Sequence, residues 1–176
     1  PVYFGLTQLY KAAGGASLDP LLTGWMNEYD PCDSSSDDGE WEGITCANVP
    51  TPAGGTRLAV TRVSLSSKGL AGSLPSEAGG LTDLTSNLRL NSNSMVGSIP
   101  TQMGRLTKLT EIVRFTDNKF QGSLPTELGN LVLMKNDMQF SGNEFTGSIP
   151  TELRRYANKS PTRYNCKTFN MISCAT

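Results

Sequence analysis

The chain has 176 residues, 37 % of them hydrophobic, and a formal net charge of −1. That length suits about one domain, and so small a charge gives no global attraction to nucleic acid or to an anionic membrane. No apolar run reaches the roughly 18 residues that a membrane-spanning helix needs, and the absence of His removes the commonest metal ligand and general base.

The chain opens on Pro1 without an initiator Met, so a cleaved targeting segment or the start of an excerpt is expected there. Residues 2–13 carry Phe4, Leu6, Leu9 and Tyr10 at helical spacing, and Gly14-Gly15 supplies a C-terminal stop. A second short helix is expected over residues 20–27, with Leu21, Leu22 and Trp25 as its apolar side. Residues 31–40 form an acidic Ser/Asp loop. Its Asp33, Asp37, Asp38 and Glu40 lack the Gly and the ligand spacing of an EF-hand, so no metal site is expected. Residues 49–56, with Pro50, Pro52, Gly54 and Gly55, read as a surface loop.

From residue 60 to residue 156 the chain keeps time. Gly72-Ser73-Leu74-Pro75 returns as Gly97-Ser98-Ile99-Pro100, Gly122-Ser123-Leu124-Pro125 and Gly147-Ser148-Ile149-Pro150, 25 residues apart each time. Self-similarity at such a period marks a solenoid, in which each unit buries one apolar strip against its neighbours. Other columns repeat in phase: Val63 and Leu65 become Leu88 and Leu90, Val113 and Phe115, then Met138 and Phe140. Leu70, Met95, Phe120 and Phe145 form the next column. Asn93, Asn118 and Asn143 form another, which Lys68 breaks in the first unit.

Short strands are expected at residues 62–66, 87–91, 112–116 and 137–141. Their alternation points Val63, Leu65 and their equivalents inward. Stacked about 4.8 Å apart, they make one parallel sheet. The Asn side chains just beyond the strands are expected to hydrogen-bond backbone groups of the turn and of the adjacent unit. Gly and Pro then turn the chain, and Thr-x-Leu-Gly leads back through a loose helical turn.

The motif Met138-x-Phe140-x-x-Asn143-x-Phe145-x-Gly147-x-Ile149-Pro150, headed by Leu131, resembles the plant-type (GxIP) leucine-rich repeat, as in secreted and extracellular proteins of plants and algae. That family's unit is roughly 24 residues, and here each unit has one more, visible where Leu84 precedes Leu88 by four positions. Trp41-Glu-Gly43-Ile-Thr-Cys46 resembles the end of the family's WxGxTC-type N-terminal cap, and Asp30-Pro31-Cys32 its first half. The resemblance implies an α/β repeat solenoid, a short arc with the parallel sheet on its concave face. The expected division is a helical, disulfide-bonded N-terminal cap (1–59), four repeats (60–156) and a C-terminal cap (157–176). After Leu153 the pattern fails, with Arg154-Arg155-Tyr156 in place of Gly-x-Leu.

Four cysteines allow three pairings. Bridged Cα atoms must lie within about 7 Å, and location at opposite ends favours Cys32–Cys46 and Cys166–Cys174. Without His or CxxC a zinc site is not expected. Disulfides imply an oxidising place: extracellular, or a secretory or organelle lumen.

Charge is polarised along the rod. Asp19, Glu28, Asp30, Asp33, Asp37, Asp38, Glu40 and Glu42 precede the repeats, whereas Arg154, Arg155, Lys159, Arg163 and Lys167 follow them. No residue stands out as catalytic: with no His, the Ser and Thr hydroxyls lack the usual base. No enzyme activity and no cofactor are expected. The sequon at Asn158 is followed by Pro161, which weakens it.

The expected binding surface is the outward face of the sheet, in three columns. They are Arg62, Asn87, Ile112 and Asp137; Ser64, Arg89, Arg114 and Gln139; and Ser66, Asn91, Thr116 and Ser141. Arg89 and Arg114 stand side by side, an arrangement suited to a carboxylate, phosphate or sulfate, or to an acidic protein loop. The expected function is recognition of a protein or other ligand by this face. The alternative is a structural subunit held in a larger assembly by its charged ends, with Arg154, Arg155 and Lys159 docking.

Overall fold

A computed structural model of the protein describes residues 4–14, 30–32, 41–135 and 138–153. The helix expected at 20–27, residues 33–40 of the acidic loop expected at 31–40, Asp137, and everything after Leu153 lie outside the described residues. The last group includes Arg154, Arg155, Asn158, Lys159, Cys166 and Cys174.

Helix α1 (Phe4–Ala12) buries Leu6, Leu9 and Tyr10 on one side. Phe4, expected on that side, is half exposed. The reason is geometric: two residues before Leu6 lies roughly 200° around the helix. Strands β1 (Ile44–Pro50) and β2 (Thr56–Ser64) form an antiparallel hairpin, in register from Ile44↔Val63 to Pro50↔Thr56. Of the surface loop expected at 49–56, residues 51–55 are the tip of this hairpin, whereas Val49, Pro50 and Thr56 lie in its paired strands. Thr51 closes it, donating its amide to the Gly55 carbonyl at 2.8 Å and accepting the Gly55 amide on its hydroxyl at 3.1 Å.

β2 then begins a parallel stack with β4 (Asn87–Arg89), β6 (Ile112–Arg114) and β8 (Met138–Gln139), in the order β1-β2-β4-β6-β8. β4, β6 and β8 are shorter than expected and β2 stops at Ser64, yet the backbone ladder runs on past them. Leu65 donates its amide to Arg89 at 2.8 Å, Leu90 to Arg114 at 2.9 Å, and Phe115 to Gln139 at 2.8 Å. Just before β4 the amides of both Thr85 and Ser86 donate to the Thr61 carbonyl, which absorbs the extra residue of that unit.

A second parallel sheet joins β3 (Ala71–Ser73), β5 (Ser94–Gly97), β7 (Lys119–Gly122) and β9 (Glu144–Phe145). The sequence reading takes these segments as turns. Two to four residues long and rich in Gly, they carry little strand propensity, and they pair because the coil lays equivalent residues side by side. Each unit closes through a 3₁₀ turn: Ser76–Gly80, Thr101–Arg105, Thr126–Asn130 and Thr151–Leu153. These follow Pro75, Pro100, Pro125 and Pro150, as the loose helical turn led one to expect.

The core fills the space between the sheets. Val63, Leu65, Leu88, Leu90, Val113, Phe115, Met138 and Phe140 enter from the first; Leu70, Met95, Phe120 and Phe145 enter from the second, all buried. Phe115, Phe120, Phe140 and Phe145 pack as one cluster, with ring centroids 5.8–6.3 Å apart, a range in which edge and stacked pairs attract.

Two backbone devices hold the units together. Asn118 accepts the Met95 amide on Oδ1 at 3.0 Å and donates through Nδ2 to Leu90 at 2.9 Å and Phe115 at 3.2 Å. Asn93 and Asn143 repeat the pattern. In the first unit Lys68 occupies that column and instead reaches out to Glu42 of the cap. The second device is close approach. A Cβ on Gly79, Gly104 or Gly129 would collide with Gln102, Glu127 or Glu152 of the next 3₁₀ turn, and one on Gly5 would collide with the Glu77 carbonyl. Helix α1 thus takes the place that a 3₁₀ turn holds in later units. The Cys32–Cys46 disulfide, with Cα atoms 5.5 Å apart, ties β1 to the preceding segment.

Candidate recognition surface

The parallel register places the surface columns directly. Asn87 pairs with Ile112 and Arg89 with Arg114, while Ser64 precedes Arg89 and Gln139 follows Arg114 across the sheet. Their side chains alternate with the buried Leu88 and Val113 and so face outward. Arg62 is exposed; Ser64, Arg89, Arg114 and Gln139 are half-buried, as are Ser66, Asn91, Ile112 and Ser141. Asn87, at 3 %, and Thr116, at 9 %, are closed off from solvent. Asp137 lies outside the described residues.

The third column is partly tied up internally: the Ser66 hydroxyl donates to Asn91 Oδ1 at 2.7 Å. The second column is not. Arg89 Nε and Arg114 Nε are buried without a hydrogen-bond partner among the described residues, as is Asn87 Oδ1. Each such group forgoes a bond that water or a ligand would supply. The ion pairs between described residues lie elsewhere, at Arg57–Asp83, Lys108–Asp83 and Lys68–Glu42. The two arginines therefore rise from adjacent strands, whose backbones lie about 4.8 Å apart, and neither forms an ion pair with a described acid.

Sequence reasoning passed over Asp83. It is 5 % exposed and is held between Arg57 on the hairpin and Lys108 one unit later, with Lys108 Nζ at 2.7 Å. The readable signal was the opposite charge of two residues 25 positions apart. Burial alone would raise its carboxyl, but the hydrogen bonds and charges of Lys108 and Arg57 outweigh that and hold it below the usual carboxylate range. Among the described residues, no group of three or more His, Cys, Asp or Glu is placed to hold a metal ion, and no helix is long and apolar enough to cross a membrane.

No protein-family model matches the sequence, and neither does any curated protein. Solved structures do match by fold. The leucine-rich-repeat ectodomain of the receptor kinase SOBIR1 from Arabidopsis thaliana superposes with a TM-score of 0.65 at 22 % identity, over 88 % of this chain and 72 % of that one. A chain of the BIR3–SERK2 complex from the same plant gives 0.56 at 22 %, over 100 % and 96 %. The ectodomain of the Arabidopsis thaliana membrane receptor kinase GASSHO1/SCHENGEN3, in complex with Casparian strip integrity factor 2, gives 0.56 at 26 % identity; 88 % of this chain spans only 20 % of that one. With its parallel strands stacked unit upon unit, the chain has the leucine-rich-repeat solenoid fold of plant receptor ectodomains.

Proposed function

We propose that the protein is a non-catalytic recognition module of the plant-type (GxIP) leucine-rich-repeat kind, which binds a protein partner through the outer face of its first sheet in an oxidising compartment. The observation that carries this reading is the Arg89–Arg114 pair, aligned on adjacent strands and without an acidic partner among the described residues. Arg62, Ser64, Asn91, Gln139 and Ser141 surround it as neutral or like-charged neighbours. The similarity to an ectodomain solved in complex with Casparian strip integrity factor 2 supports a binding role, and the Cys32–Cys46 disulfide supports the compartment. On this reading residues 1–59 and 157–176 cap the four repeats of 60–156, Cys166 pairs with Cys174, and Trp41 to Cys46 ends a WxGxTC-type cap.

The test is charge reversal. Tagged protein carrying Arg89→Glu with Arg114→Glu is expected to lose the partners that the unmodified protein retains from an extract of its source, whereas reversal of Arg154, Arg155 and Lys159 is expected to leave them. The opposite outcome assigns association to the basic end of the rod and defeats the reading.

A further inference from the structure

We infer that Arg89 and Arg114 together form a receptor for a phosphate dianion; the inference rests on the outer sheet face being the recognition surface. The two arginines are direct register partners on β4 and β6, so their side chains rise one strand spacing apart. Like charges directly opposite one another in a sheet are destabilising, and each buried Nε also lacks the hydrogen bond it could make. One bound dianion, contacting the outer ends of both guanidiniums, offsets the repulsion between them.

Charge decides between ligand classes. A phosphate monoester carries about −1.5 to −2 at pH 7 and offers three acceptor oxygens, which matches two permanently charged guanidinium groups. A single carboxylate neutralises only one of them. A tetrahedral oxyanion also presents oxygens to both guanidiniums simultaneously, each able to pair with an Arg fork. The surroundings narrow the source. Ser64 and Gln139 complete the column, so a hydroxyl and an amide are on hand for the atoms next to the phosphate. The three columns hold no aromatic residue and thus offer no platform on which a nucleobase could stack. The geometry suits inorganic phosphate or a phosphorylated aliphatic side chain.

Titration of the full chain, followed by calorimetry or amide NMR, tests this with three probes: inorganic phosphate, a short phosphoserine peptide, and the same peptide with Asp in place of phosphoserine. The phosphate probes are expected to bind at least about tenfold more tightly than the Asp peptide at pH 7.5. The phosphopeptide should weaken towards pH 5 as its phosphate regains its second proton near pH 6, and inorganic phosphate, the weaker acid, should begin to weaken at a higher pH. Arg89→Gln and Arg114→Gln are each expected to cost about tenfold or more. Tighter binding of the phosphopeptide than of inorganic phosphate assigns the source to a modified side chain, and equal binding assigns it to the free ion. Absence of phosphate binding by a folded chain overturns the inference, as does equal affinity for the Asp peptide or indifference to both substitutions. If phosphate fails while the double charge reversal still abolishes partner retention, this inference falls and the recognition reading stands. If phosphate binds while the reversed variant keeps its partners, the receptor stands and the recognition reading falls.

Discussion

Asp83 shows how much one residue can depend on two neighbouring units. Its carboxylate is buried, yet it titrates low because Lys108 and Arg57 hold it charged. A folded-state value below the unfolded one means that the unfolded chain binds the proton more tightly. The stabilisation is therefore present at neutral pH and is lost as the pH falls below about 4. Arg57 and Lys108 are 43 % and 56 % exposed, so solvent screening leaves a contribution of about 1 kcal/mol. Urea unfolding should show Asp83→Asn to be less stable than the parent by about that amount at pH 7 and by clearly less at pH 3. An equal deficit at both values would mean that Asp83 acts by packing instead of charge. The Asn column is different in kind. Each Asn bonds backbone groups of its own unit and of the one before, and the residue type, repeated every 25 positions, was enough to foresee that role. Burial of Asn87 was not foreseeable, because its period-2 position is the same as that of exposed Arg62.

At the scale of the element, the 3₁₀ turns set how closely units stack. Gly104 and Gly80 lie in successive turns but meet different surroundings. A Cβ at 104 runs into the backbone and side chain of Glu127, while one at 80 has nothing within 4 Å. Gly104→Ala is expected to destabilise by about 1–3 kcal/mol. Gly80→Ala, which removes only unfolded-state freedom, should stabilise by about 0.4–1 kcal/mol. Paired denaturation curves check both, and equal responses would contradict the stacking account. The inward alternation of Val63 and Leu65 and the period of 25 were legible because apolar side chains record them directly. The second sheet was not, since Gly-rich segments acquire their pairing from the coil. Nor was the hairpin: β1 reads Ile-Thr-Cys-Ala-Asn-Val-Pro, with no clean alternation to announce a strand. The left-handed residues Ser67, Ser92 and Asp117, with φ of 56–59°, occupy a column whose last member is Gly142, and that single glycine was too sparse a sign.

For the whole molecule, stability is a sum over units and their interfaces, so an unprotected end is where unfolding begins. The N-terminal end is covered by α1 and by a hairpin stapled through Cys32–Cys46, which closes a loop of 14 residues. Replacing both cysteines by Ala is expected to cost about 3 kcal/mol in unfolding free energy. The loss should appear as earlier hydrogen exchange in β1 and β2, with β6 and β8 following later. Uniform loss along the rod would show that the cap is not a separate point of failure. The two-sheet solenoid gives the outer face its use, because strands paired in register hold surface side chains in ranks without any loop to position them.

The most direct measurement is protection of arginines from an arginine-specific dicarbonyl reagent, read by mass spectrometry on the free protein and on the native assembly drawn from its source. The account predicts that Arg89 and Arg114 react in the free protein and are shielded in the assembly, while exposed Arg105 reacts equally in both. Equal reaction of Arg89 and Arg114 in the two states, with shielding confined to Arg154 and Arg155, would contradict it.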